Sequence, residues 1–274
     1  MCGLRAASGG GFCSARDAGI DDEAQHKAHN TRQDPTKALS RQRHSIDNSL
    51  QRSDGHEGEN GLDDTVNHSQ SAPLDFGVDV VVHSCTKYIG GHGDVVAGAA
   101  IAKELDVANQ IRLEGLMHFG AVMAPNTAFL LERGLKTLGI RVEQHCQNAL
   151  KVASWLEKQP WVASVRYPYL PSDPGYALAK SQMRGGSGVV TFDVAAGLEG
   201  GKALMNHLKL CTIAVSLGDC ETLVEHPASM THTMVDKAER LEEGITDGLI
   251  RMSVGLENAD DIIADLEQAS KYIV

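Results

Sequence analysis

Lys87 follows a short apolar run, Val78-Asp-Val-Val-Val-His83, and sits in Ser84-Cys-Thr-Lys-Tyr88 just before the glycine-rich Gly90-Gly-His-Gly93. A run of this kind reads as a buried strand, and in open α/β sheets ligands collect beyond the carboxyl ends of strands. Ser84 and Thr86 put two hydroxyls beside one amine. Hydroxyls and loop N–H groups suit a phosphate, and a lysine amine suits a carbonyl, so a phosphorylated aldehyde would satisfy both at one place. Taken alone, Ser-x-Thr-Lys is a short pattern, and more often marks a solvent-facing lysine after a strand. Arg251 is the second candidate. In Leu249-Ile-Arg-Met-Ser-Val254 it shares a strand face with Leu249 and Ser253. A guanidinium can grip a carboxylate through two parallel hydrogen bonds, although an arginine in such a run is equally a surface ion-pair residue. Ser216, by itself, reads as an ordinary loop serine.

The elements that position these residues alternate along the chain. Strands are expected at Val78–His83, Gly98–Ala102, Val162–Tyr167, Gly188–Val194, Cys211–Val215 and Leu249–Val254. Pro125 and Asn126 open a long helical pattern, apolar at Leu131, Leu135, Leu138, Val142, Ala149, Ala153 and Leu156, which Pro160 ends. Further helices are expected at Gly201–Leu208, around Asp236–Glu243 and at Asp260–Tyr272. The last is introduced by Asn258 and Asp261 in capping-box spacing. This order implies the rest of an α/β domain over 61–160 and an α+β domain over 161–274.

Before residue 72 the texture differs. Leu, Ile, Val, Met and Phe are scattered there without a period of 2 or 3.6, and such a stretch buries too little apolar surface to offset its ordering entropy. Residues 1–60 are therefore expected to be disordered or an aberrant segment. Across all 274 residues the formal net charge is −11. That balance argues against a nucleic-acid partner, which would want a basic stripe. No apolar run is long enough to span a bilayer, and the first residues lack a secretory signal. The six cysteines show no paired or metal-binding spacing, which fits free thiols in a reducing cytoplasm and no metal site.

The longer pattern is more specific. Asp79-Val-Val-Val-His-Ser-Cys-Thr-Lys-Tyr-Ile-Gly-Gly-His-Gly-Asp94 resembles the cofactor-lysine signature of the Cys/Met metabolism family of pyridoxal-phosphate enzymes. The resemblance runs on through Arg133-Gly-Leu-Lys-Thr-Leu138, Ala214-Val-Ser-Leu-Gly-Asp-Cys-Glu-Thr-Leu223, His226-Pro-Ala-Ser-Met-Thr-His232 and Leu249-Ile-Arg-Met-Ser-Val-Gly-Leu-Glu257. It implies a type I aminotransferase-like fold with an incomplete large domain and a C-terminal α+β domain. It also implies pyridoxal 5'-phosphate as cofactor, a small amino-acid substrate and a homo-oligomer, dimer or tetramer. Lys87 matches the lysine that forms a Schiff base with the cofactor, Ser84 and Thr86 the phosphate-binding hydroxyls, Arg251 the substrate-carboxylate arginine, and Ser216 a residue beside that carboxylate. Asp63, in Asp63-Asp-Thr65, is the candidate for the aspartate at the pyridine nitrogen. It lies one residue nearer Pro73 than the family pattern has it, and a chance acidic pair is as good a reading.

Within the family, the His226–His232 run and the Gly248–Gly255 ending most resemble members that eliminate the γ-substituent of methionine, giving methanethiol, 2-oxobutanoate and ammonia. Met117-His118 stands where those members commonly carry Lys-Asp, which keeps open members that cleave cystathionine or exchange the acyl group of an O-acylhomoserine for sulfide. The family's N-terminal phosphate loop, ring-stacking tyrosine, asparagine, and the tyrosine and arginine lent by a neighbouring subunit have no match in residues 1–60. A truncated or frameshifted, catalytically inactive member is the remaining alternative.

Overall fold

The structure, a computed structural model, describes residues 73–273. The expectation for residues 1–60 and the candidate Asp63 lie outside these described residues, which belong to a unit spanning Gly55–Val274.

Two sheets organise the described chain. In the first, β1 (Val80–Ser84) pairs antiparallel with β2 (Gly98–Ala102), from Val80 opposite Ala102 to Ser84 opposite Gly98. Between them runs the segment that carries Thr86 and Lys87. α1 (Leu105–Met117), α2 (Pro125–Leu135) and α3 (Leu138–Leu156) follow. The second sheet has five strands in the order β3-β4-β7-β6-β5: Val162–Arg166, Val189–Val194, Leu249–Ser253, Leu223–Glu225 and Thr212–Ile213. Only β5 and β6 run parallel. The connections include α4 (Tyr176–Gln182), α5 (Gly197–Asn206) and α6 (Lys237–Glu242), and α7 (Ala259–Ser270) closes the described chain.

Alternation builds the main core. Val190, Phe192 and Val194 of β4 point inward, as do Ile250 and Met252 of β7. They meet Ala149, Val152, Ala153 and Leu156 of α3, and Ile262, Leu266 and Ala269 of α7. Each large aliphatic side chain buried this way is worth about 2 kcal/mol relative to exposure. Asn258 caps α7 by accepting from Asp260 N, the role its position in the sequence suggested. Asp265 on the same helix accepts from Lys209 N, Leu210 N and Cys211 N at 2.8 to 2.9 Å and so ties the entry of β5 to α7. Burial by itself raises that carboxyl, but the three backbone donors outweigh it and hold the group below its ordinary value.

Four elements differ from expectation. The long helix over 125–156 is two helices, because Gly134 O accepts from Thr137 N at 3.2 Å and from Arg141 Nη2 at 2.8 Å, turning the chain at Lys136 and Thr137. α1 has no buried residue among the described ones, so no inward stripe marked it in the sequence. α4 is a short helix of seven residues. β6 contributes three residues to the sheet, fewer than a periodicity argument can register.

His145, fully buried on α3, donates through Nδ1 to Val254 O at 2.7 Å. Burial lowers its pKa to about 4, with Arg141 nearby adding to the effect against the pull of the Val254 bond. In the unfolded chain the same imidazole takes up its proton near its ordinary value of about 6.5. Its neutral, folded form is therefore favoured above pH 6.5, and stability is lost as the pH falls from there towards 4, up to about 3 kcal/mol. Thermal melts of the full chain should show the midpoint falling between pH 6.5 and pH 4, with a shallower slope in His145→Gln. Equal slopes would remove His145 as the cause.

Candidate active site

The segment after β1 is wound into tight turns: Gly90 N donates to Cys85 O at 2.9 Å and Gly91 N to Lys87 O at 2.7 Å. Arg141, 5% exposed, clamps it from α3. Its Nη1 donates to Tyr88 O at 2.9 Å, its Nη2 to Gly134 O at 2.8 Å and its Nε to Thr137 Oγ1 at 3.1 Å. Two glycines make that approach possible. A Cβ on Gly91, which has φ 69°, would run into the Arg141 guanidinium. One on Gly134 would come within 2.6 Å of Gly90 O, with Ile89 O closer still. Neither position tolerates a side chain.

The opposite wall comes from the β5–β6 connection and β7. Lys87 Nζ donates to Ser216 Oγ at 3.4 Å. Ser216 O in turn accepts from Arg251 Nη2 at 3.2 Å, and Val215 O accepts from the same nitrogen at 2.8 Å. The structure thus brings Lys87, Ser216 and Arg251 into one chain of contacts, with Ser84 and Thr86 on the lysine's own segment. Arg251 Nη2 also lies 2.6 Å from Glu225 Oε2. Arg251 Nε is buried and has no hydrogen-bond partner among the described residues. Gly218 N donates to Ser253 Oγ at 2.8 Å, which joins the Ser216 segment to the end of β7.

Asp219 completes the wall. It is 8% exposed, and its Oδ1 has no hydrogen-bond partner among the described residues. Burial, and then Glu221, push its carboxyl up; Lys87 and the Gly93 N–H partly offset that rise. Arg141, Asp219 and Glu225 were absent from the sequence reading. Arg141 had a legible signal, a charged residue beside Val142 on the apolar stripe of α3, where only a partnered guanidinium is tolerated.

An amine, a serine and a partly exposed guanidinium in series are suited to hold a molecule that carries both a carbonyl or amine and a carboxylate. The sequence profile of the Cys/Met metabolism PLP-dependent enzymes matches residues 62–271. The chain belongs to this family. It is 54% identical over 202 residues to L-methionine gamma-lyase of Fusobacterium nucleatum, covering 73% of this chain and 51% of that protein. Cystathionine gamma-lyase of Bacillus subtilis is 45% identical over 206 residues, with 73% of this chain and 52% of that one covered. Among solved structures, cystathionine gamma synthase from Xanthomonas oryzae pv. oryzae, in complex with aminoacrylate and cysteine, superposes with a TM-score of 0.71 at 40% identity, over 75% of this chain and 53% of that chain. The fold is thus that of the type I PLP-dependent enzymes, and the chain spans about half the length of the curated relatives it matches.

The described residues fit the family's cofactor, pyridoxal 5'-phosphate. Lys87 Nζ contacts a neutral hydroxyl, and among the described residues no carboxylate forms an ion pair with it. Ser84 Oγ has no hydrogen-bond partner among the described residues. Thr86 Oγ1 accepts from Ala97 N at 3.0 Å and donates to Ala97 O at a longer 3.3 Å, a bond that a phosphate oxygen can replace while the first stays in place.

Proposed function

We propose that the chain is a pyridoxal-phosphate-dependent carbon–sulfur lyase that eliminates the γ-substituent of a sulfur amino acid, with L-methionine as its substrate. The observation that carries this reading is the series Lys87, Ser216, Arg251, in which one serine meets a lysine amine through its hydroxyl and a guanidinium through its backbone carbonyl. Ser84 and Thr86 would hold the cofactor's phosphate, Lys87 its aldehyde, and Asp63 its ring nitrogen. When bound, the cofactor supplies an electron sink for the charge left on the substrate's Cα.

The chain's own groups do the rest. Arg251, whose side chain is partly exposed, grips the substrate carboxylate through its guanidinium. Ser216 fixes the guanidinium through its carbonyl and the amine through its hydroxyl, so that the reacting groups keep one spacing. Lys87 Nζ takes the Cα proton as general base, and the same amine carries protons between neighbouring carbons while the thiolate leaves from Cγ. Methionine and water then give methanethiol, 2-oxobutanoate and ammonia.

Cystathionine is the second reading, supported by 45% identity to a cystathionine gamma-lyase. The two differ in the thiol released, methanethiol from methionine and cysteine from cystathionine. The test is to load the purified full chain with pyridoxal phosphate, supply each amino acid in turn, and measure 2-oxobutanoate and thiol. O-Acetylhomoserine with sulfide, read as homocysteine, is a third arm. Keto acid and methanethiol from methionine are expected; no product in any arm would overturn the enzyme reading in favour of an inactive family member.

Self-association is part of this reading. Leu113, Leu116, Met117 and Phe119, on α1 and just after it, are 50% to 82% exposed, an apolar face suited to a second copy. Sedimentation of the full chain at the 29.3 kDa monomer mass would contradict it. The four described cysteines are free thiols, which supports a cytoplasmic location; a disulfide found in protein isolated from its source would argue against it.

A further inference from the structure

We infer that Glu225 is a positioning residue for substrate recognition: it aims the Arg251 guanidinium at the substrate carboxylate. The inference rests on the reading of Arg251 given above and assigns the residue behind it.

Strand register creates the pair. Glu225 on β6 stands directly opposite Arg251 on β7, so both side chains leave the sheet on one face. Glu225 is 2% exposed, whereas the Arg251 side chain is 27% exposed. The carboxylate therefore lies beneath and the guanidinium reaches outward past it. Each carboxylate oxygen has its own task. Oε2 meets Arg251 Nη2 at 2.6 Å, and Oε1 accepts from Thr231 Oγ1. With one oxygen tied to the turn that follows β6, Glu225 cannot rotate away from the guanidinium.

The contacts fall on Nη2 and leave the outer part of the partly exposed guanidinium to a ligand. Val215 O and Ser216 O take the hydrogens of Nη2, and Glu225 holds that nitrogen by charge. Nε remains a buried donor with no partner among the described residues. A buried ion pair gains little stability over an apolar pair of the same volume. Here, however, it determines the direction in which an arginine with several free rotors points, and that is what a positioned carboxylate receptor needs.

The test separates aim from folding. The pyridoxal-phosphate-loaded full chain, its Glu225→Ala and Glu225→Gln variants, are titrated calorimetrically with L-norleucine, which has the length of methionine but no sulfur to expel. Pentylamine is titrated in parallel: it is the same molecule without the carboxylate. Glu225→Ala should weaken norleucine about tenfold or more. Glu225→Gln, which keeps its size and its contact with Thr231 but not the charge that holds Nη2, should weaken norleucine about as much. Pentylamine should bind all three proteins alike. Norleucine binding unchanged in Glu225→Ala, or norleucine and pentylamine weakened together, overturns the inference while leaving the proposed function standing. Glu225→Gln binding norleucine as tightly as the parent overturns it too, because a neutral amide cannot hold Nη2 by charge. A parent chain that binds norleucine no better than pentylamine overturns the reading of Arg251 itself.

Discussion

Lys87→Ala should abolish product formation, lowering turnover at least roughly a thousandfold, because it removes the cofactor's anchoring amine and the general base in one change. Folding should be nearly untouched. Lys87 is only partly buried, and the one hydrogen bond of its amine among the described residues, to Ser216 Oγ, is long at 3.4 Å. Thermal melts of parent and variant should then coincide within a few degrees while activity is lost. Lys87→Arg should not restore it: a guanidinium stays protonated at every working pH and cannot accept the Cα proton. A variant that kept substantial turnover would move the catalytic amine elsewhere.

The second large effect falls on a residue that touches no reacting atom. Arg141 makes three hydrogen bonds from a buried position, to Tyr88 O, Gly134 O and Thr137 Oγ1. Arg141→Ala takes a donor from Tyr88 O, Gly134 O and Thr137 Oγ1, of which Gly134 O keeps its bond from Thr137 N, and opens a cavity at the junction of α2, α3 and the lysine segment. The expected cost is about 3 kcal/mol, or a midpoint lower by roughly 10 °C for a chain of this size. Arg141→Lys should recover little of it, since an ammonium cannot span three acceptors in a fork. The loss should also be felt at Lys87, whose neighbour Tyr88 supplies one of those carbonyls. Slower capture of pyridoxal phosphate, measured below the melting range, is the sign that Arg141 positions the lysine segment; capture at the parent rate would confine its role to stability.

Much of the site was legible because it is written locally. The strand, the hydroxyl-flanked lysine and the glycines after it are consecutive in sequence, and Arg251 lies on a strand whose alternation is plain. What escaped depends on pairing between distant segments. Glu225 matters because three-residue β6 lies in register with β7, and nothing in Leu223-Val-Glu225 foretells which strand it will face. Asp219 matters because its loop folds back beside Gly93. The break between α2 and α3 arises when Arg141 and Thr137 both take the carbonyl of Gly134, a competition that apolar spacing cannot register. α1 went unseen for the opposite reason: among the described residues it packs no side chain inward, so it leaves no amphipathic trace.

The central claim is that Lys87 is the residue that takes pyridoxal phosphate. It is tested most directly by incubating the full chain with stoichiometric cofactor, reducing with borohydride, digesting, and locating the added mass. The adduct is predicted on the peptide carrying Lys87, and lost from that peptide in Lys87→Ala. Adduct scattered over surface lysines such as Lys136 and Lys237, with Lys87 unmodified, would contradict the account.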